Sequence, residues 1–188
     1  MKSFSDAVLE GLIHNLRNPL NLVVGYAQKL DNQNISDYKA RIYQAGIKMD
    51  DLMQNTWDAL QYRKCGEGST DLNEWLSYEM ILMGNHLKLK HRILFETNIS
   101  DKPQICKLPP LKLSQWLEEL IDQLLNQLTE GLISMHITVA EYIGLIIRVN
   151  ISDNLVSLHE LSLVQTETVP LRISTDAQNT LTITARLL

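Results

Sequence analysis

Two stretches of helical periodicity, separated only by Asp31-Asn32-Gln33-Asn34, constrain this chain more than any other feature. In the first, from about Ser5 to Leu30, apolar residues recur as Val8, Leu12, Leu16, Leu20, Val23, Ala27 and Leu30, a spacing that lines one face of a helix. Pro19 falls inside it, where it removes a backbone hydrogen bond and is expected to bend the helix just after His14. In the second, Ser36 or Asp37 can cap a helix running to about Arg63, with Ala40, Ile42, Tyr43, Ile47, Leu52, Thr56, Ala59 and Leu60. Two long helices on so short a loop fold back as an antiparallel hairpin. Such a hairpin has more apolar face than it can cover alone. Pairing with a second copy as a four-helix bundle is the least costly remedy, so a homodimer is expected. Tyr26, Met53 and Trp57 are expected to fill that bundle.

Cys65-Gly66-Glu67-Gly68-Ser69-Thr70 is the one linker-like stretch, which divides the chain into residues 1–65 and 71–188. Charge follows the same division: residues 1–64 sum to +1 and residues 65–188 to −6. Past the linker, Asp71 to about Leu87 reads as a helix and Arg92 to Ile99 as a strand. Lys112 to Leu128 is a strongly amphipathic helix, Trp116 within it being expected in a core or in interdomain packing. Strands are expected at Ser134–Ala140, Gly144–Ile151 and Leu181–Leu187. This order gives an α+β layer packing behind the hairpin.

Several function classes are excluded on composition. A net charge of −5 offers no nucleic-acid surface. No stretch approaches the ~18–20 apolar residues of a membrane span, and Lys2 is not followed by the apolar run of a signal peptide. Cys65 and Cys106 are isolated, which suits free thiols in a reducing cytoplasm. His86, His91, His136 and His159 show no metal-ligand spacing, so no metal site is expected. The basic run Lys88-Leu89-Lys90-His91-Arg92 reads as a solvated face.

On the polar side of the first helix lie His14, Arg17, Asn18, Asn21 and Gly25. The segment Leu12-Ile13-His14-Asn15-Leu16-Arg17-Asn18-Pro19-Leu20-Asn21 resembles the H-box of bacterial sensor histidine kinases, usually His-Glu-Leu-Arg-Asn/Thr-Pro-Leu. Further pieces follow in that family's order. Asp71-Leu72 opening a helix, with His91-Arg92-Ile93-Leu94-Phe95 leading a strand, is similar to the start of the family's ATP-binding domain. Leu113-Ser114-Gln115-Trp116-Leu117-Glu118-Glu119-Leu120-Ile121-Asp122-Gln123-Leu124 is similar to the N-box helix. Thr129-Glu130-Gly131 matches the turn before paired strands, and Asn150-Ile151-Ser152-Asp153-Asn154 the strand end bearing the first glycine box, Asp-x-Gly-x-Gly. The resemblance implies a dimerisation and histidine-phosphotransfer hairpin followed by a reduced ATPase-type α/β sandwich.

The departures are as informative. The two N-box asparagines correspond to Glu119 and Gln123, the former a carboxylate where triphosphate would sit. After Asp153-Asn154 the family places glycines, so that backbone can approach the nucleotide; here Leu155-Val156 follow, and no glycine occurs from 145 to 188. The ATP site is therefore expected to be lost, with Glu119, Gln123 and Asp153 as degenerate positions and no cofactor bound. Asn15 stands where the family has an acidic residue thought to take the imidazole proton, and an amide is no base. Autophosphorylation is not expected.

A lone histidine on a helix's polar face is ordinarily only solvated; the surrounding H-box is what sets His14 apart. A neutral imidazole can attack a phospho-aspartate unassisted, with Mg²⁺ carried by the partner receiver domain. The reading is a histidine phosphotransferase that accepts a phosphoryl group on His14 from one response regulator and passes it to another. Arg17 and Asn18 would assist, and Asn15, Asn21 and Gly25 would face the receiver. Two alternatives stand beside it: a non-catalytic adaptor that binds a receiver or a kinase, and a regulator phosphatase in which Asn18 orients water.

Overall fold

The computed structural model describes residues 4–29, 35–65, 68–127, 132–141, 144–151, 171–175 and 180–187. Helix α1 (Phe4–Ala27) passes through Pro19 as one helix, and α2 (Ile35–Lys64) packs along it. The turn at Asp31–Asn34 lies outside the described residues, as do Thr129–Gly131 and Ser152–Asn154. A two-residue strand β1 (Thr70–Asp71) leads into α3 (Leu72–Asn85), whose first turn is capped by the Asp71 carboxylate accepting from Asn73 N–H. A single turn, α4 (Leu87–Lys90), then leads into β2 (Ile93–Asn98). β3 (Ile105–Cys106), α5 (Pro110–Gln127), β4 (Ile133–Ala140), β5 (Gly144–Ile151), β6 (Leu171–Thr175) and β7 (Leu181–Arg186) complete the order.

The fold is α+β: a helical hairpin, then a five-stranded mixed sheet in the order β2-β4-β5-β7-β6. β2 and β4 are parallel and the other pairings antiparallel. Period-two alternation puts Ile133, Met135, Ile137 and Val139 of β4, and Leu145, Ile147 and Val149 of β5, on one buried face. Leu181, Ile183 and Ala185 extend that face across β7. Against it lie the apolar stripes of α5 (Leu113, Leu117, Leu120, Leu124) and α3 (Leu72, Trp75, Leu76, Met83). Trp116 is in this core, as expected.

Four elements were not legible in the sequence. β1 and β3 are two residues each, paired as Thr70 with Cys106 and Asp71 with Ile105, too short to alternate. β6 was not anticipated in the stretch beyond Asn154. In the basic run at 88–92, Lys90 and His91 are exposed, as a solvated face requires, but the helical turn α4, packed on α1, was not anticipated.

Gly144 opens β5 with φ +116°, and a Cβ there would lie 2.7 Å from the Ala185 carbonyl oxygen. Only glycine fits. On the hairpin, several residues expected against apolar neighbours are exposed in the single chain, among them Leu20 (45 %), Met53 (54 %) and Trp57 (60 %).

Candidate functional site

α1 turns its small and apolar residues Ala7, Val8 and Gly11 inward at the end nearest α3, while His14 is exposed. Arg17, Asn18 and Asn21 are exposed on the same ridge, one and two turns on. Gly25 is half-buried, with open space where a Cβ would stand. Below His14, an open groove of about 370 Å³ runs between α1 and α2, starting at Asn18 and Pro19 and lined further on by Leu22, Tyr26, Arg41 and Lys48. Arg41 is set in that wall by Asp37 (3.0 Å) and by donating to the Tyr26 hydroxyl (3.0 Å).

Asn15 faces inward. Its amide nitrogen donates to the Asn85 side-chain oxygen at the end of α3 (2.9 Å), and its amide oxygen accepts from the Lys90 ammonium on α4 (3.3 Å). Asn85, buried, donates in turn to the Thr56 hydroxyl of α2 (2.9 Å), which donates to the Leu52 carbonyl (2.7 Å). Every donor in this chain points the same way, so each of the two amides accepts at its oxygen and donates from its nitrogen. An aspartate at 15 has no proton for Asn85; accepting it would require the Asn85 amide to flip and Thr56 to give up Leu52. The residue after His14 thus fastens α1 to α2, α3 and α4.

A second polar cluster joins the hairpin to the rest of the chain deeper in. Arg63, near the end of α2, makes a two-pronged contact to Glu79 of α3, Nε to Oε1 (2.9 Å) and Nη2 to Oε2, and its Nη1 reaches Glu118 of α5. Glu79 is fully buried and also accepts from the Ser114 hydroxyl, to which the Trp75 indole donates (3.1 Å). The guanidinium lies 4.6 Å over the Phe4 ring. Desolvation works against the Arg63 charge, but the hydrogen bonds and charge of Glu79, with Glu118, outweigh it and hold its pKa above the ordinary value. Burial pushes the Glu118 carboxyl up, only partly offset by Arg63. Sequence reasoning passed over this cluster. The available signal was Glu79, a carboxylate on the same helical stripe as Leu72, Trp75 and Leu82.

Of the three positions expected from the sequence to be degenerate nucleotide contacts, Glu119 is exposed and Gln123 half-buried on α5, whereas Asp153 lies outside the described residues. Cys65 is exposed and Cys106 buried, and neither is in a disulfide. Among the described residues no group of histidine, cysteine and carboxylate side chains could hold a metal ion, and no helix is long and apolar enough to cross a membrane.

No family model matches the chain, and no curated protein matches it. Solved structures similar to it are histidine kinases at low identity. The Acinetobacter baumannii histidine kinase AdeS is 12% identical over 93% of this chain and 96% of that one, with a TM-score of 0.39. Histidine kinase ThkA, solved in complex with the response regulator protein TrrA, is 14% identical over 93% of this chain, with a TM-score of 0.41; the match spans 59% of the ThkA chain. The histidine kinase domain of the Erythrobacter litoralis EL346 blue-light activated kinase is 13% identical over 90% and 95% of the two chains, with a TM-score of 0.38.

Proposed function

We propose that this chain is a histidine phosphotransferase of two-component signalling, relaying a phosphoryl group through His14 between receiver-domain aspartates. One observation carries the reading: an exposed imidazole on α1, followed by Arg17, Asn18 and Pro19 in H-box order, at the head of an open groove. The unprotonated imidazole nitrogen attacks phosphorus; the N–P bond forms as the aspartyl C–O–P linkage breaks, and the carboxylate leaves with the electron pair. The partner's Mg²⁺ would neutralise the phosphoryl oxygens in transit. This chain supplies the nucleophile and its placement. The absence of glycine after Gly144, and of a base at Asn15, supports transfer from a phosphoprotein over autophosphorylation from ATP.

In this reading residues 1–65 form the phosphotransfer hairpin and residues 71–188 a wall against which the receiver rests. Exposed Ile47, Met53 and Trp57 on α2 support pairing with a second copy, since these side chains bury apolar area only in an oligomer. A second reading has its own support: Asn18 is exposed one turn beyond His14, where an amide could orient water onto a receiver's phospho-aspartate.

The test is incubation with a phosphorylated receiver domain and Mg²⁺. Acid-labile, base-stable label should appear on the chain, and His14→Gln should abolish it while leaving receiver binding near wild type. Loss of receiver phosphate as inorganic phosphate in that variant would favour the phosphatase reading. Labelling by ATP and Mg²⁺ alone would overturn the account of the C-terminal half.

A further inference from the structure

The basic run at 88–92 has no place in the mechanism above, yet the fold brings it to the phosphoacceptor. α4 packs on α1, and Lys90 reaches 3.3 Å from the side chain of Asn15, the residue directly after His14. We propose that Lys90 is a positioning residue for the partner: it presents a cation beside His14 that engages the acidic rim around a receiver's aspartate. The inference rests on the phosphotransfer reading and names the contact by which the C-terminal half takes part in it.

Three observations carry it. First, Lys90 is exposed, and its ammonium has three donors against one bond to Asn15, so it can serve a second acceptor without leaving the first. Second, its placement is fixed from beneath. Asn15 is held by Asn85, and Asn85 by Thr56, the last two buried, so the end of α3 from which α4 departs is tied to the His14 turn. Third, the charge balance makes a cation there consequential. Residues 65–188 sum to −6, which repels an acidic partner. Lys90 on one side and exposed Arg17 on the other reverse the sign where an aspartyl phosphate must approach. His91, exposed beside Lys90, extends the same edge.

The experiment measures phosphoryl transfer to His14 from two donors: an isolated phosphorylated receiver domain with Mg²⁺, and phosphoramidate, which has no protein surface to dock. Variants are Lys90→Gln, Lys90→Arg and, as a distant exposed lysine, Lys112→Gln, each checked for an unchanged circular dichroism spectrum. Lys90→Gln should cut kcat/KM with the receiver by tenfold or more, mostly through KM, and flatten its decline with salt. Lys90→Arg should recover most of this, and Lys112→Gln should behave as wild type. The loss of Lys90→Gln with phosphoramidate should be at least tenfold smaller than with the receiver. Equal losses with both donors would mean that Lys90 merely shapes the His14 turn and would overturn the proposal, as would wild-type kinetics for Lys90→Gln. If wild-type chain takes label from neither donor, the phosphotransfer reading fails and this inference fails with it.

Discussion

Arg63→Met should be among the most damaging conservative-volume substitutions in the chain. The guanidinium is 9 % exposed and is shared between Glu79, whose side chain is fully buried, and Glu118, at 21 %. Removing it leaves one carboxylate in the core with only the Ser114 hydroxyl and a second with partial access to water. Breaking a buried pair by deleting one partner costs about 3–5 kcal/mol, because the remaining charge stays desolvated. The cation–π contact to Phe4 is lost as well. For a chain of this length that corresponds to a fall in Tm of roughly 6–20 °C. Because Arg63 ends α2 while Glu79 and Glu118 sit on α3 and α5, the same change loosens the hairpin from the sheet-bearing half. Urea denaturation at neutral pH measures the loss. In Arg63→Met/Glu79→Leu most of the stability should return, since an apolar pair in place of an ion pair is near neutral. A loss below about 1 kcal/mol for the single variant, or additivity of the two singles, would refute the view that this network is buried and coupled.

Gly144→Ala should destabilise by about 3 kcal/mol or more, combining a strained positive φ with a Cβ 2.7 Å from the Ala185 carbonyl; tolerance in a urea titration would contradict the observed β5–β7 register. Glu118→Gln tests the sign of the buried electrostatics. Burial raises the Glu118 pKa in the folded chain, so the folded state holds its proton more tightly than the unfolded one, and wild-type stability from this group is full below about pH 4.3 and lost as pH rises through the higher folded value. The variant should therefore gain on wild type between pH 4 and 7, and an advantage that shrinks over that range would mean that Arg63's attraction outweighs burial.

What the sequence made legible follows the range of the interactions involved. Helix limits, the alternation of β4, the existence of β5 and the burial of Trp116 are set by neighbours within a few residues, and all were readable. β1 and β3 were not, because each exists only through the other, some 35 residues away. The same holds for the polar clusters. Asn85 and Thr56 are unremarkable in their own helices, and nothing local tells that Asn15 will hydrogen-bond to Asn85 rather than to water. Asn15 shows how this alters a functional argument. Read from the sequence it is a missing base; in the fold its amide protons have a recipient that no carboxylate could serve as readily. An acidic residue at 15 would still accept from Lys90 but has no proton for Asn85, so the link from α1 through Asn85 to Thr56 would be lost. The amide at 15 thus ties α1 to the end of α3 through a bond that a carboxylate could not donate.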